Sequence, residues 1–480
     1  MATSNPRRWW ALGALVASML TLGFDMTILN VALPTMAAGL GATTGEAQWM
    51  ADAYVVVFAA LMLPAGLLGD RFGRRRMLIT GLGIFLAGSV LGALADDVTW
   101  VIAARAVMGV GGALVTPLSL SVLPSLFTSE ERTKAVGIVS AASTLGLPVG
   151  PILGGWLLNH FWWGSVFLVN VPMAAIGILA CVFLLPETSD PASPRVDALS
   201  TALTAAGLGS LVYAIIEAPA RGWGDPLVLA GSALAVVLIG LLALRERRSA
   251  RPMLDMGLLT QRGFLFNALA ATVVMFVLSG LLFVLPAYLQ AVLGQDALGT
   301  GVRLLPMMGG LLVTARAAQP LVVRFGPRAV VSAGMAVLAF AGILGARTTV
   351  ESGYGFAALW LTLAGAGFGL AVVPAMAGAL GTLPADRAGS GSGLLMTLRQ
   401  VGAALGIALL GSLLAGELDA ASLTASADRA YVHGMDLALL VSGITSLVAA
   451  LLAAALLPGA RPVRATAAPD MAAAKADVRQ

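Results

Sequence analysis

Charge is scarce in this chain. Only 11% of its 480 residues are Asp, Glu, Lys or Arg, where a soluble domain carries about a quarter. Hydrophobic residues make up 59%. A water-soluble protein of this length would lack the polar groups to coat itself, so the surplus apolar surface must face lipid. Cysteine is limited to Cys181, so no intrachain disulfide can form and the redox compartment is not encoded. Lysine occurs only at Lys134 and Lys475, neither preceded by a G-x-x-x-x-G, which excludes the phosphate loop of a nucleotide-driven pump. With only His160 and His433, neither H-E-x-x-H nor a histidine-rich metal cluster is available. A net charge of +4 is too small to suggest a nucleic-acid partner.

What the chain has in abundance is long apolar runs. A spanning helix needs roughly 20 such residues, and fourteen runs qualify. They lie over 10–33, 49–68, 77–95, 100–123, 135–158, 165–185, 197–217, 226–244, 264–287, 301–323, 328–346, 355–380, 389–415 and 436–457. The first is too long for a signal peptide and contains Asp25, so it reads as a retained helix. Cytoplasmic loops collect positive charge. With the N-terminus inside, inner segments hold 21 of the 28 Lys and Arg residues, outer loops hold three (Arg221, Arg347, Arg429), and four fall within spans (Arg105, Arg303, Arg316, Arg399). A miscounted helix would scramble that asymmetry. The sequence therefore predicts an all-α, multi-pass membrane protein with fourteen transmembrane helices and both termini cytoplasmic.

A weak repeat suggests two halves. Arg71-Phe72-Gly73-Arg74-Arg75 follows the second span and Arg324-Phe325-Gly326-Pro327-Arg328 the tenth. These loops become equivalent if spans seven and eight are inserted between two six-helix bundles. The expected organisation is a bundle over 1–190, two inserted helices over 191–252, a second bundle over 253–458, and a disordered cytoplasmic tail over 459–480, rich in Ala and Pro. Two similar bundles around a midplane site suit alternating access.

Asp25 is the only acid well inside the first span, about 12 Å below its outer end by helix rise. A carboxylate there costs roughly 2.5–3.5 kcal/mol on insertion scales, so it calls for a partner or a task. Arg105 in the fourth span lies at a similar depth, about 8 Å down, within reach of a long side chain. An adjacent cation favours the carboxylate while desolvation favours the acid, so Asp25 is the candidate proton site and Arg105 its modulator. A fixed structural pair is the alternative. Asp52, in Trp49-x-x-Asp52-x-Tyr54, either extends this network or is a solvated carboxylate at a helix start. In the 66–76 loop Asp70 sits among arginines and could make charge-assisted bonds to a helix end. In the fifth span Gly146, Gly150 and Gly154 share one face, which permits close helix packing, and Pro148 and Pro151 permit a bend. Glu217, Arg303 and Arg316 are placed to snorkel. Arg399, about 15 Å into the thirteenth span, needs a partner that the sequence does not name.

Five stretches together resemble the major facilitator superfamily, specifically its fourteen-span drug:proton antiporters of the EmrB/QacA kind, over about residues 8–458. They are Asp25-Met26-Thr27-Ile28-Leu29-Asn30-Val31-Ala32-Leu33-Pro34, Gly66-Leu67-Leu68-Gly69-Asp70-Arg71-Phe72-Gly73-Arg74-Arg75, Arg105-Ala106-Val107-Met108-Gly109, the run from Gly146 to Gly155, and Phe167-Leu168-Val169-Asn170-Val171-Pro172. The resemblance implies proton antiport against drugs or related amphiphiles in a bacterial-type cell (inner) membrane. It also implies a conformational latch at Asp70, Arg71 and Arg74, while the glycines and superimposed prolines of the fifth span themselves point to a bent, close-packed helix that controls leak between the halves. Met108 departs from the family, which usually has Gln there, so a polar relay group is lost and a soft apolar one gained. Asn30, Met108 and Arg399 are the candidate cavity residues. No cofactor or metal is expected beyond the proton gradient. The expected partners are a small lipophilic substrate, protons and lipid, and the chain is expected to be a monomer. Proton-coupled import of a small metabolite by symport stays open as the alternative. The apolar inventory favours export, and no catalytic set for an enzyme is evident.

Overall fold

The computed structural model describes residues 7–127, 129–189, 196–249, 254, 256–383, 388–421 and 427–457. Their regular secondary structure is helical, with no strand among the described residues. In chain order the helices are α1 (Arg7–Leu40), α2 (Thr44–Phe72), α3 (Arg74–Ala93), α4 (Val98–Ser121), α5 (Leu123–Leu126), α6 (Ser129–His160), α7 (Ser165–Leu168), α8 (Asn170–Leu184), α9 (Ala198–Arg221), α10 (Pro226–Arg248), α11 (Arg262–Ala287), α12 (Ala297–Arg303), α13 (Leu305–Phe325), α14 (Pro327–Gly345), α15 (Tyr354–Gly381), α16 (Ala388–Ala421) and α17 (Ala427–Leu456). Among the described residues thirteen helical segments are long and apolar enough to cross a membrane, and they coincide with thirteen predicted spans. The remaining prediction, 135–158, falls on α6, many of whose side chains lie outside the described residues. The predicted tail over 459–480 and the basic side chains Arg132, Lys134, Arg195 and Arg387 also lie outside them.

Local chemistry sets the helix starts. Thr43 and Glu46 form a reciprocal capping box that opens α2. Asp197 and Asp225 cap α9 and α10, the latter followed by Pro226 in the first turn. The joints α2–α3 and α13–α14 turn on Gly73 (φ 107°) and Gly326 (φ 83°), conformations that a side chain would strain. The weak repeat read from the two arginine loops is thus a repeat of backbone geometry.

Helices α1–α8 pack among themselves and so do α11–α17. The two groups meet where α2 lies on α16, α6 on α12 and α1 on α11. Helices α9 and α10 form a hairpin tied by Asp197–Arg245 at 2.9 Å and by a hydrogen bond from Ser200 to Glu246 at 2.6 Å. Helix α9 lies over the seam between α2 and α16, where Ser412 donates to the Ile215 carbonyl. The outer helix, α10, exposes Leu234, Val236, Val237 and Ile239, as a lipid-facing helix should.

Carboxamides stitch the groups together at the end remote from the termini. Gln48 on α2 donates to the carbonyls of Ile407 and Ala408 on α16, at 3.2 and 2.8 Å. Gln290, just beyond α11, donates to the Val31 carbonyl on α1 at 3.0 Å. Asn159 near the end of α6 donates to Asp296, the cap of α12, at 2.7 Å. All three donors are uncharged amides, which cost less to desolvate than charged groups.

Candidate functional site

The centre of the N-terminal group is a buried polar cluster. Arg105 Nη1 on α4 donates to Asp25 Oδ2 on α1 at 2.7 Å, and Asn170 Nδ2, at the start of α8, donates to Asp25 Oδ1 at 3.0 Å. Arg105 Nε donates to the Met50 carbonyl on α2 at 3.2 Å, and its guanidinium carbon lies 4.4 Å from the centre of the Tyr54 ring. Asp25 and Arg105 are 3% and 2% exposed, so water does little to screen them. Each oxygen of one carboxylate is thereby satisfied by a separate donor on a separate helix. Protonating that carboxylate would weaken its hold on both α4 and α8 at once, which makes the cluster capable of turning a proton into a change of helix packing.

Close packing aims Asp25 into this cluster. The glycine face of α6 beds on α1: a side chain on Gly146 would press on Gly23, one on Gly150 would collide with Thr27, and one on Gly154 would press on Ile28. Thr27 also donates to the Gly146 carbonyl. The close approach of α6 therefore fixes the rotation of α1 around Asp25. The neighbouring face of α6 meets the other group, where a side chain on Gly155 would collide with Ala297 and one on Gly301 with the Pro151 carbonyl. The expectation for α6 thus divides. Gly146, Gly150 and Gly154 face α1 within their own group, and Pro151 and Gly155 form the contact between groups. Pro148 is half-buried within α6.

Asp52 is fully buried one turn after Gln48, in α2, and neither of its oxygens has a hydrogen-bond partner among the described residues. It is therefore not a solvated carboxylate at a helix start, as one sequence reading allowed. The loop residues bond within their own group. Asp70 pairs with Arg74 at 2.7 Å, and Arg74 also donates to the Ser121 carbonyl at the end of α4. Arg71 lies over the Phe72 ring. Glu187 and Thr188, beyond α8, accept from the backbone N–H groups of Arg75 and Arg74 and so cap α3.

Two of the candidate cavity residues make contacts within their own helix group. Met108 is fully buried and faces α3, where a side chain on Gly88 would meet its Cγ, so it fills core between α3 and α4. Asn30 turns back to donate to the Met26 carbonyl of its own helix. Arg399 rests on two thioethers, Met396 Sδ at 3.3 Å and Met275 Sδ at 3.4 Å, with its Nε unpartnered among the described residues. The partner that sequence reasoning could not name is thus methionine sulfur. Glu217 pairs with Arg221 at 2.7 Å, and Arg303 stacks on Tyr354.

Sequence reasoning missed three groups. Asn170 had a signal, as a lone amide two residues before Pro172 in an apolar run. Glu187 follows Pro186 at the end of a span and offered only its charge. Asp436 was placed at a span start, but α17 begins at Ala427, which puts this acid more than two turns inside the helix.

Comparison with known proteins agrees with this architecture. Residues 15–407 match the model of the Major Facilitator Superfamily. The puromycin resistance protein of Streptomyces alboniger is 35% identical over 425 residues, covering 86% of this chain and 83% of the relative. The tetracenomycin C resistance and export protein of Streptomyces glaucescens is 32% identical over 418 residues, covering 86% and 77%. A crystal structure of a bacterial homologue of the human lysosomal transporter Spinster, inward-facing and occupied, superposes with a TM-score of 0.68 at 18% identity, covering 94% of this chain and 97% of that one. At that identity the likeness speaks for the fold alone. With its apolar helices, paired helix groups and this match over most of its length, the chain belongs to the major facilitator superfamily and is a membrane transporter rather than an enzyme.

Proposed function

We propose that this protein exports small lipophilic or amphiphilic molecules, drugs and antibiotics among them, in exchange for protons. The membrane would be the bacterial cell membrane, crossed fourteen times with both termini in the cytoplasm. The units that rock are residues 1–190 and 253–458, with 191–252 as the inserted hairpin, and one chain is the working unit. The observation that carries this reading is the Asp25 carboxylate, buried and divided between Arg105 and Asn170. Relatives named for resistance and export support the direction of transport.

In this scheme a proton entering from outside neutralises Asp25 and frees Arg105 and Asn170. The carboxamide contacts at the far end, together with Gly155 and Gly301, re-form as the groups rock. Asp52, buried in α2 one turn after the Gln48 contact with α16, is the second candidate to change protonation as that contact opens. One proton moving down 100 mV supplies about 2.3 kcal/mol, enough for a roughly fifty-fold substrate gradient. The test is a panel of fluorescent lipophilic compounds in inside-out vesicles with an imposed pH gradient. Accumulation driven by an acidic lumen, and its loss in an inserted Asp25→Asn protein, is the expected result. Normal gradients in Asp25→Asn would remove Asp25 from the mechanism, and accumulation driven only by an acidic exterior would indicate import.

A further inference from the structure

Just outside the carboxamide stitches lies a cavity of about 140 Å³ shared by both helix groups. Leu33 and Pro34 of α1 form one wall, and Phe283 of α11, Leu414 and Leu418 of α16 and Tyr431 of α17 form the other. No acidic or basic residue lines it. Two of its three polar side chains are already engaged. The Tyr431 hydroxyl donates to the Val284 carbonyl at 2.8 Å, and Thr43 at the rim is committed to the α2 cap. A bound water needs two to four polar partners, whereas apolar space of roughly 150 Å³ is large enough for a benzene-sized molecule. The position is equally specific. Leu33 follows Val31, the acceptor of the Gln290 bond, by two residues, and the lining residue Ala47 adjoins Gln48. A molecule leaving between α1/α2 and α11/α16 at this end would pass through it.

We propose that this cavity is a binding site for an uncharged aromatic ring, or an apolar group of that size, carried by the transported compound and engaged beyond the far-end gate. The exit role rests on the export reading above, whereas the site itself does not. Binding uses apolar contact alone, so the charged part of an amphiphile must lie outside it, towards the rim at Thr43.

The test uses the full-length protein with Leu418→Cys. The native Cys181 is buried, so the introduced thiol at the half-buried lining position is the reporter. Its modification by a charged maleimide is followed with and without toluene. At toluene about ten times above its Kd, modification should slow about ten-fold. The same thiol in an Ala287→Phe protein, whose cavity is filled, should show no slowing. Protection should persist in the Asp25→Asn background, which separates this site from the coupling mechanism. Failure of Leu418→Cys to label at all, no effect of toluene, or equal slowing in the filled variant would each overturn the proposal.

Discussion

Gly155 on α6 and Ala297 on α12 face each other across the two helix groups so closely that a Cβ on Gly155 would collide with the Ala297 carbonyl oxygen. Backbone meets backbone here, and the same is true of Gly301 and Pro151 one turn away. Contact of this kind is all or none, because no side chain can adjust to fill a partial gap. Gly155→Leu should therefore hold the far end open. Impermeant-maleimide labelling of Thr300→Cys, buried on α12, is expected to rise several-fold in that background while efflux falls to the uncoupled level. Unchanged labelling would show that the two backbones are not a closing surface.

Arg105 is held by Asp25, the Met50 carbonyl and the Tyr54 ring, all inside the protein. Arg105→Ala leaves the Asp25 carboxylate buried with one donor, Asn170, and should cost about 3–5 kcal/mol of stability. The double variant with Asp25→Asn should lose less than the sum of the single changes, by about 1–3 kcal/mol. Thermal unfolding in detergent measures both quantities. Additivity would mean that the 2.7 Å contact contributes no coupling.

Asn170→Ala removes one hydrogen bond to a charged group and should cost about 1.5–3 kcal/mol, less than the loss of Arg105. Insertion should be preserved, and pH-driven efflux should be reduced without being abolished. Wild-type efflux and stability in this variant would leave Asn170 a packing residue.

Asp296 lies outside the spanning segments, and the Gly299 N–H and the Asn159 amide hold its carboxyl below the usual carboxylate range. A depressed acid contributes stability that is fully present above its unfolded value, about 3.9, and is lost as pH falls through the lower folded value. Asp296→Ala should cost about 0.5–2 kcal/mol as a lost helix cap. The difference in Tm between the two proteins should stay constant from about pH 5 to 8 and shrink below about pH 4. Asp296→Asn, which can still cap, should recover most of it.

Asp70 binds Arg74, which in turn binds the end of α4. Asp70→Ala should slow turnover more than it weakens ligand binding, a split seen by comparing transport rates with equilibrium binding in detergent. Weakened binding at equal turnover would argue against a latch.

The sequence already carried much of this. Apolar run length located the helices, because a bilayer tolerates only segments that satisfy their own backbone. Helix rise alone put Asp25 and Arg105 at depths close enough for a long side chain to bridge. Depth is one coordinate, however, and azimuth is another. In a chain apolar on nearly every face, periodicity says little about which way a residue points. Met108 follows Arg105 by three positions, yet one fills core against Gly88 and the other bonds Asp25. The same gap hid Asn170 as the second donor, and it hid the division of α6 between a face for α1 and a face for α12.

By itself, then, the sequence determined that the chain is a helical membrane protein, where its helices lie, which ends gather arginine, and which lone carboxyl lies deep. Those properties follow from transfer free energies that each residue carries with it. The tertiary structure alone decided that Asp25 is divided between two donors, that Arg399 rests on sulfur, that Asp52 is buried and unpartnered among the described residues, and that carboxamides bridge the two helix groups at the far end. Each of these depends on how one helix is rotated against its neighbour. That rotation is set by which small residues let backbones touch, a property of pairs of helices that neither carries alone.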